Sequence, residues 1–202
     1  GSNLKSGTLV FSISPDPLEV ATFAIAAAVT GGDVRIEGIV KDHLDMFLLK
    51  MREAGVSYII ESDALCIQPS KSFHAIKIRT DIWPNFPTDL QAPFSVLLTQ
   101  ASGESLIFET MFEGRFEYLK ELQKMGVQII SKGLYEVVIT GPSKLQGAVI
   151  NSSDLRAGAA LIIAGLIATG ETIVDRVELI DRGYEKIDEK LRALGARIER
   201  IE

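Results

Sequence analysis

Three aspartates, each in a turn between an apolar run and a helical pattern, are the first residues of this 202-residue sequence with the means to do chemistry. They are Asp16 in Ser14-Pro15-Asp16-Pro17-Leu18-Glu19, Asp89 in Phe86-Pro87-Thr88-Asp89-Leu90-Gln91, and Asp154 in Ser152-Ser153-Asp154-Leu155-Arg156-Ala157. They stand 73 and 65 residues apart. A carboxylate in such a turn can cap the following helix by accepting its free N–H groups, or can serve as a general base. Two arginines recur with them: Arg115 lies 12 residues after Gly103, Arg182 lies 12 after Gly170, and the same count from Gly31 reaches His43. If the units pack about a pseudo-threefold axis, helix N-termini and both guanidinium groups share one pole, a favourable place for phosphate or carboxylate. Plainer readings stand beside these. Capping alone accounts for the aspartates, and Glu113 and Asp181 offer Arg115 and Arg182 ordinary ion pairs. His43 has no partner at metal-ligand spacing, Cys66 in Ala64-Leu65-Cys66-Ile67 reads as a small strand residue, and Trp83 and Phe86 read as packing or a loop anchor. The sequence has no Walker-type glycine loop and no serine nucleophile elbow.

A recurrence of about 70 residues calls for reading the chain as repeats. Each unit opens with a short β-rich run: Leu9 to Ile13, Ala75 to Thr80, and Gln146 to Ile150. A turn with its acid follows, then a helix of small and apolar residues: Val20 to Val29, Leu90 to Ala101, and Leu155 to Thr169. These helices lack a polar face and so belong inside the domain, each ending at glycine: Gly31-Gly32, Gly103 and Gly170. Second strands are expected at Asp33 to Ile36, Ser105 to Glu109 and Thr172 to Asp175. Amphipathic helices follow over Leu44 to Ala54, Phe116 to Met125 and Tyr184 to Leu194, closed by Gly55, Gly126 and Gly195. Strand pairs come next: Ser57 to Ile60 with Ala64 to Gln68, and Val127 to Ile130 with Glu136 to Thr140. The third unit has only Arg197 to Ile201. The expectation is an α/β fold of three β-α-β-α-β-β repeats, over about 8–70, 71–141 and 142–202, in one domain spanning 8–202. Residues 1–7 read as a tag scar and linker, since Gly1-Ser2 has the look of a cloning remnant. The third repeat lacks its last strand, and an open sheet edge is a liability; a preceding segment outside this sequence is expected to supply it, the chain being a fragment.

The composition, 47% hydrophobic and 24% charged, is that of a globule with a real core. A net charge of −6 without any Lys/Arg run argues against nucleic acid or an anionic membrane as partner. One cysteine excludes an internal disulfide framework and fits a reducing, cytoplasmic setting. No stretch is long and charge-free enough to span a membrane.

Five segments in order make the reading specific: Phe86-Pro87-Thr88-Asp89-Leu90-Gln91-Ala92, Phe112-Glu113-Gly114-Arg115-Phe116, Gly141-Pro142-Ser143-Lys144-Leu145-Gln146-Gly147, Ser153-Asp154-Leu155-Arg156-Ala157, and Ile180-Asp181-Arg182-Gly183-Tyr184-Glu185. Together they closely resemble the C-terminal domain of the UDP-N-acetylglucosamine enolpyruvyl transferase family, across nearly the whole chain. The resemblance implies an inside-out α/β barrel, with buried central helices and sheets outside. It also implies transfer of the enolpyruvyl group of phosphoenolpyruvate to the 3′-hydroxyl of UDP-N-acetylglucosamine, with release of phosphate and no metal or organic cofactor. By the same resemblance, Asp89 is expected to be the general base, Arg115 and Arg182 to face phosphoenolpyruvate, Met111 to line the nucleotide pocket, and Asp154 and Arg156 to support the site. The family's reactive cysteine and further cationic groups lie on an N-terminal domain that this sequence lacks, and Cys66 does not match that cysteine; half the cleft is missing, and the domain alone is expected to be inactive. Gly114 stands where the family usually has Asn, and Pro17 where it often has Arg. These departures imply a looser turn at Arg115 and a lost nucleotide contact. Two alternatives are a 5-enolpyruvylshikimate-3-phosphate synthase-like domain, disfavoured by Arg115-Phe116-Glu117-Tyr118, and a non-catalytic paralogue or scaffold domain.

Overall fold

The three small-residue helices pack on one another, and strands of each unit pack against them. The computed structural model describes residues 10 and 12–201. The proposed tag segment 1–7 lies outside those residues, as do Leu9 and Phe11 of the first expected strand. The buried helices are α1 (Pro17–Thr30), α3 (Gln91–Thr99) and α5 (Leu155–Ile167). All nine residues of α3 are buried, and α5 is buried from Ala157 to Ala164. An apolar helix of this kind gains stability only by leaving water on every side. Alanine and glycine let neighbouring backbones come close. At Gly158 of α5 even a methyl group would collide with Ser152 Oγ and the Ile180 side chain.

The sheets follow the repeat in two units. In the first, β1 (Val34–Glu37), β2 (Ser57–Ile60) and β3 (Ala64–Gln68) form an antiparallel sheet in the order β1-β3-β2. In the second, β4 (Phe73–His74) and β5 (Lys77–Arg79) run parallel to β6 (Ala101–Phe108). On the other side of β6, β8 (Glu136–Gly141) pairs antiparallel, and β7 (Gln128–Ser131) pairs with β8. The third unit has a parallel pair, β9 (Val149–Asn151) with β10 (Ile173–Asp175). The outer helices are α2 (Asp45–Glu53), α4 (Tyr118–Lys124) and α6 (Ile187–Ala193). They bury Phe47, Leu48 and Met51; Tyr118, Leu119 and Leu122; and Ile187 and Leu191.

Three expectations need correction. Helix α3 ends at Thr99, and Gly103 lies within β6, because pairing with β4 and β8 draws the backbone from Ala101 onward into the sheet. Helix α5 ends at Ile167, three residues before Gly170. Arg197 to Ile201 is not a strand: side chains hold it, with Arg192 Nε donating to the Ile198 carbonyl at 3.0 Å and Arg200 gripping Asp181 by two bonds of 2.8 Å. A strand needs a backbone partner, and among the described residues none lies beside this segment. A cleft of about 720 Å³ opens there between α5, β10 and α6, lined by Ile162, Leu166, Ile173, Ile187 and Ile198.

Candidate active site

The structure separates the three aspartates. Asp16 caps α1, accepting from Leu18 N at 2.9 Å. Asp154 caps α5, accepting from Arg156 N at 2.8 Å and Ala157 N at 2.9 Å. Asp89 caps nothing. It sits inside a single 3-10 turn, Thr88–Leu90, ahead of α3, and among the described residues no backbone N–H claims its carboxylate. Arg115 Nη2 donates to Asp89 Oδ1 at 2.6 Å, while Arg156 Nε lies 3.5 Å from Oδ2. The second contact is an ion pair without hydrogen-bond alignment, and Arg156 Nε and Nη1 are buried without a hydrogen-bond partner among the described residues. The carboxylate keeps about a third of its exposure between the two guanidinium groups.

Each cation is held from behind. Arg115 Nη1 donates to Thr88 Oγ1 at 2.9 Å, and its guanidinium lies 5.1 Å over the Phe112 ring. The preceding residue, Gly114, has φ of 69°, a left-handed conformation that glycine and asparagine adopt most readily. The departure at Gly114 therefore keeps the backbone geometry this turn requires. Arg156 lies 5.2 Å over the ring of buried Tyr184. Thr22 gives its proton to the Leu18 carbonyl at 2.8 Å, so the Tyr184 hydroxyl donates to Thr22 Oγ1 at 2.9 Å. Burial works against the charge of Arg156, but Tyr184 and the carboxylates of Asp89 and Asp16 outweigh it and hold its pKa above the ordinary value. The first turns of α1, α3 and α5 are thus side by side. Asp16 and Asp154 cap two of these helix ends, and Arg115 and Arg156 bring two cations beside them.

Behind Asp89 stands a group that the motifs did not single out. Glu109 follows β6 directly and is fully buried. Its Oε2 accepts from Thr88 Oγ1 at 2.8 Å and Gln91 Nε2 at 2.5 Å; its Oε1 accepts from Met111 N at 2.7 Å and Phe112 N at 3.2 Å. Gln91 in turn accepts from the Tyr118 hydroxyl at 3.0 Å. Burial pushes that hydroxyl far above the usual tyrosine pKa, against the pull of Ser95, with Glu109 adding to the rise. The signal was available in the sequence: strand alternation puts Glu109 on the face of buried Ser105 and Ile107, an inward position for a carboxylate.

Arg182 lies apart from this cluster. It ends the 3-10 turn Val177–Arg182, is exposed, and forms no ion pair among the described residues. Its turn nevertheless abuts the start of α5: Ile180 packs on Gly158, and the next residue, Gly183, lies against Leu155 and beside the Arg156 guanidinium. Asp181, the neighbour expected to pair with Arg182, pairs with Arg200 instead, which lowers its pKa. Met111 is partly exposed beside Phe112, its N–H tied to Glu109. His43 is exposed, and Cys66 lies in β3 beside Arg35 and Glu61. Among the described residues, no three His, Cys, Asp or Glu side chains are grouped to hold a metal, and no helix is long and apolar enough to cross a membrane.

A carboxylate between two guanidinium groups, ahead of a buried helix, can take a proton while the guanidinium groups hold an anion. Known proteins carry similar chains. Residues 2–191 match the family model of EPSP synthase (3-phosphoshikimate 1-carboxyvinyltransferase). A UDP-N-acetylglucosamine 1-carboxyvinyltransferase of Bdellovibrio bacteriovorus is 47% identical over 95% of this chain, which spans 46% of that protein. One of Desulfofundulus thermocisternus is 45% identical over 99% of the chain, here spanning 82% of the relative. The chain spans about half the length of several other curated relatives it matches, as of the first. Among solved structures, the enolpyruvyl transferase NikO of Streptomyces tendae aligns at a TM-score of 0.84, with 26% identity over 92% of this chain and 44% of its own. EPSP synthase of Acinetobacter baumannii aligns at 0.60, with 20% identity over 81% of this chain and 39% of its own, a likeness of fold.

Proposed function

The chain belongs to the enolpyruvyl transferase family, on the side of the UDP-N-acetylglucosamine 1-carboxyvinyltransferases, and from that premise we propose that it is the C-terminal half of an enzyme of peptidoglycan precursor synthesis. The reaction moves the enolpyruvyl group of phosphoenolpyruvate to the 3′-hydroxyl of UDP-N-acetylglucosamine and releases phosphate. In this reading Asp89 takes the proton of the 3′-hydroxyl as its oxygen adds to C2 of phosphoenolpyruvate. The C2–C3 double bond opens and C3 takes up a proton, giving a tetrahedral intermediate; loss of phosphate from C2 and of a proton from C3 then restores the double bond in the enolpyruvyl ether. Arg115 and Arg182 hold the phosphate and carboxylate charges, where fixed cations lower the barrier most. Met111 borders the nucleotide, while Asp154 and Arg156 keep the site's geometry and charge.

One observation carries the proposal: of three aspartates in matching turns, only Asp89 is free of capping duty, and two arginines flank it. The three packed helices with sheets around them support an inside-out α/β barrel. The remaining length of the relatives supports a second, N-terminal domain that closes the cleft and brings the family's reactive cysteine. The cleft beside β10, lined by both apolar and charged side chains, supports the reading that the rest of the protein supplies a strand there. No metal or organic cofactor enters this chemistry.

The test is phosphate release from the two substrates. The full-length enzyme is expected to release phosphate, Asp89→Asn to abolish release, and these 202 residues alone to release none. Turnover by the isolated chain would refute the half-site reading. Shikimate 3-phosphate displacing the sugar nucleotide as acceptor would favour the EPSP synthase alternative. Calorimetry without coupled binding of the two substrates would favour a non-catalytic paralogue.

A further inference from the structure

We infer that Glu109 is a positioning residue: its buried carboxylate fixes the Thr88 hydroxyl and the turn of residues 111–115, and through both it sets Arg115 against Asp89. The inference deepens the enolpyruvyl-transfer reading, on which only its kinetic test rests.

Burying a carboxyl group away from water is costly unless the protein replaces its hydration. Glu109 is fully buried, and among the described residues no lysine or arginine forms an ion pair with it. A carboxylate in that position is stable only if hydrogen bonds replace its water. Four donors do so, two on each oxygen. Glutamine, with one acceptor oxygen and an NH2 group, would turn donors toward either the Thr88–Gln91 pair or the two backbone N–H groups, and so lose half the set.

These four donors all lead to the site. Because the Thr88 hydroxyl gives its proton to Glu109, its lone pairs face outward, and Arg115 Nη1 donates to them at 2.9 Å. The other nitrogen of the same planar group, Nη2, reaches Asp89 at 2.6 Å. A guanidinium held at one nitrogen has little freedom at the other, so the Thr88 bond fixes the approach to Asp89. Meanwhile Met111 N and Phe112 N tie the backbone four and three residues before Arg115, and with it the ring beneath the guanidinium. Gln91, at the start of α3, anchors the other side of the Asp89 turn to the same carboxylate. Glu109 therefore joins the two segments that carry the acid and the cation, while exposing no atom to a substrate.

Two measurements test this. The first is the crystal structure of Glu109→Gln in the full-length enzyme, which needs no assumption about activity. The expected result is Arg115 displaced from Asp89; a retained contact at 2.6 Å overturns the inference. The second is steady-state phosphate release. Glu109→Gln and Thr88→Val are each expected to lower kcat by about a hundredfold, the scale of a misplacement of about 1 Å. Their double variant should be little worse than either, because both cut one relay. Thr88→Ser, which keeps the hydroxyl, should restore most of the rate that Thr88→Val loses. Multiplying effects in the double variant, or equal losses for Thr88→Val and Thr88→Ser, would mark generic damage and overturn it. If Glu109→Gln does not fold, the Thr88 pair decides. If the wild-type enzyme releases no phosphate, the functional reading fails, and the crystal structure alone decides the positioning.

Discussion

Replacing Arg115 by lysine asks whether the site needs a positive charge or a fork. The guanidinium makes two bonds, to Thr88 at 2.9 Å and Asp89 at 2.6 Å, and lies over Phe112. An ammonium group on a flexible stem keeps the charge but cannot span both acceptors in one plane. The loss is then one hydrogen bond to a charged group, about 1.5–3 kcal/mol when fully buried. The arginine side chain is 25% exposed and the aspartate 37%, so water recovers part of it, and about 1–2 kcal/mol remains. For a domain of this size that lowers the melting temperature by about 2–8 °C. Activity should suffer more than stability, because a group misplaced by about 1 Å costs about a hundredfold in rate, equivalent to about 2.7 kcal/mol in the transition state. The assay pairs thermal denaturation of these 202 residues with phosphate release on the full-length Arg115→Lys enzyme. A kcat within threefold of wild type, with the melting temperature lowered as expected, would show that charge alone suffices, and the fork argument would fall.

Two further outcomes follow from the packing and the surface. Gly158→Ala should destabilise by about 1–3 kcal/mol, the usual cost of overpacking, because its methyl group collides with Ser152 and Ile180; the same shift should move the turn that carries Arg182, and a variant as stable as wild type in urea would contradict the tight approach of α5. Asp181→Asn should remove a modest, pH-dependent contribution, since Arg200 lowers the pKa of Asp181 below its ordinary 3.8. A carboxylate whose folded pKa is depressed stabilises above its unfolded pKa and loses that stabilisation as pH falls through the folded value, so wild type and variant should differ near neutral pH and converge in acid, as read by denaturation at several pH values.

The local elements were legible because local physics sets them. Apolar helices of small residues had to be buried whatever surrounded them, and the strands Ser57–Ile60 and Ala64–Gln68 stand where the alternation put them. The caps at Asp16 and Asp154 needed only the first helical turn to form. Where a boundary depends on a distant partner, the chain's own pattern misplaced it. Helix α3 gives way at Ala101 to a strand that β4 and β8 recruit, and Arg197–Ile201 is irregular with no strand beside it among the described residues.

The candidate site divides the same way. Turn motifs and a recurring spacing singled out Asp89, Arg115 and Arg182, since residue type and sequence distance are properties of the chain itself. That Asp89, unlike Asp16 and Asp154, is released from capping and flanked by Arg115 and Arg156 depends on side chains 26 and 67 residues away arriving at one carboxylate. That Glu109 tethers the pair depends on a strand end facing the turn before α3. The order of residues chooses which charges exist. Only packing, by excluding water and limiting each side chain to one reach, decides which charges meet.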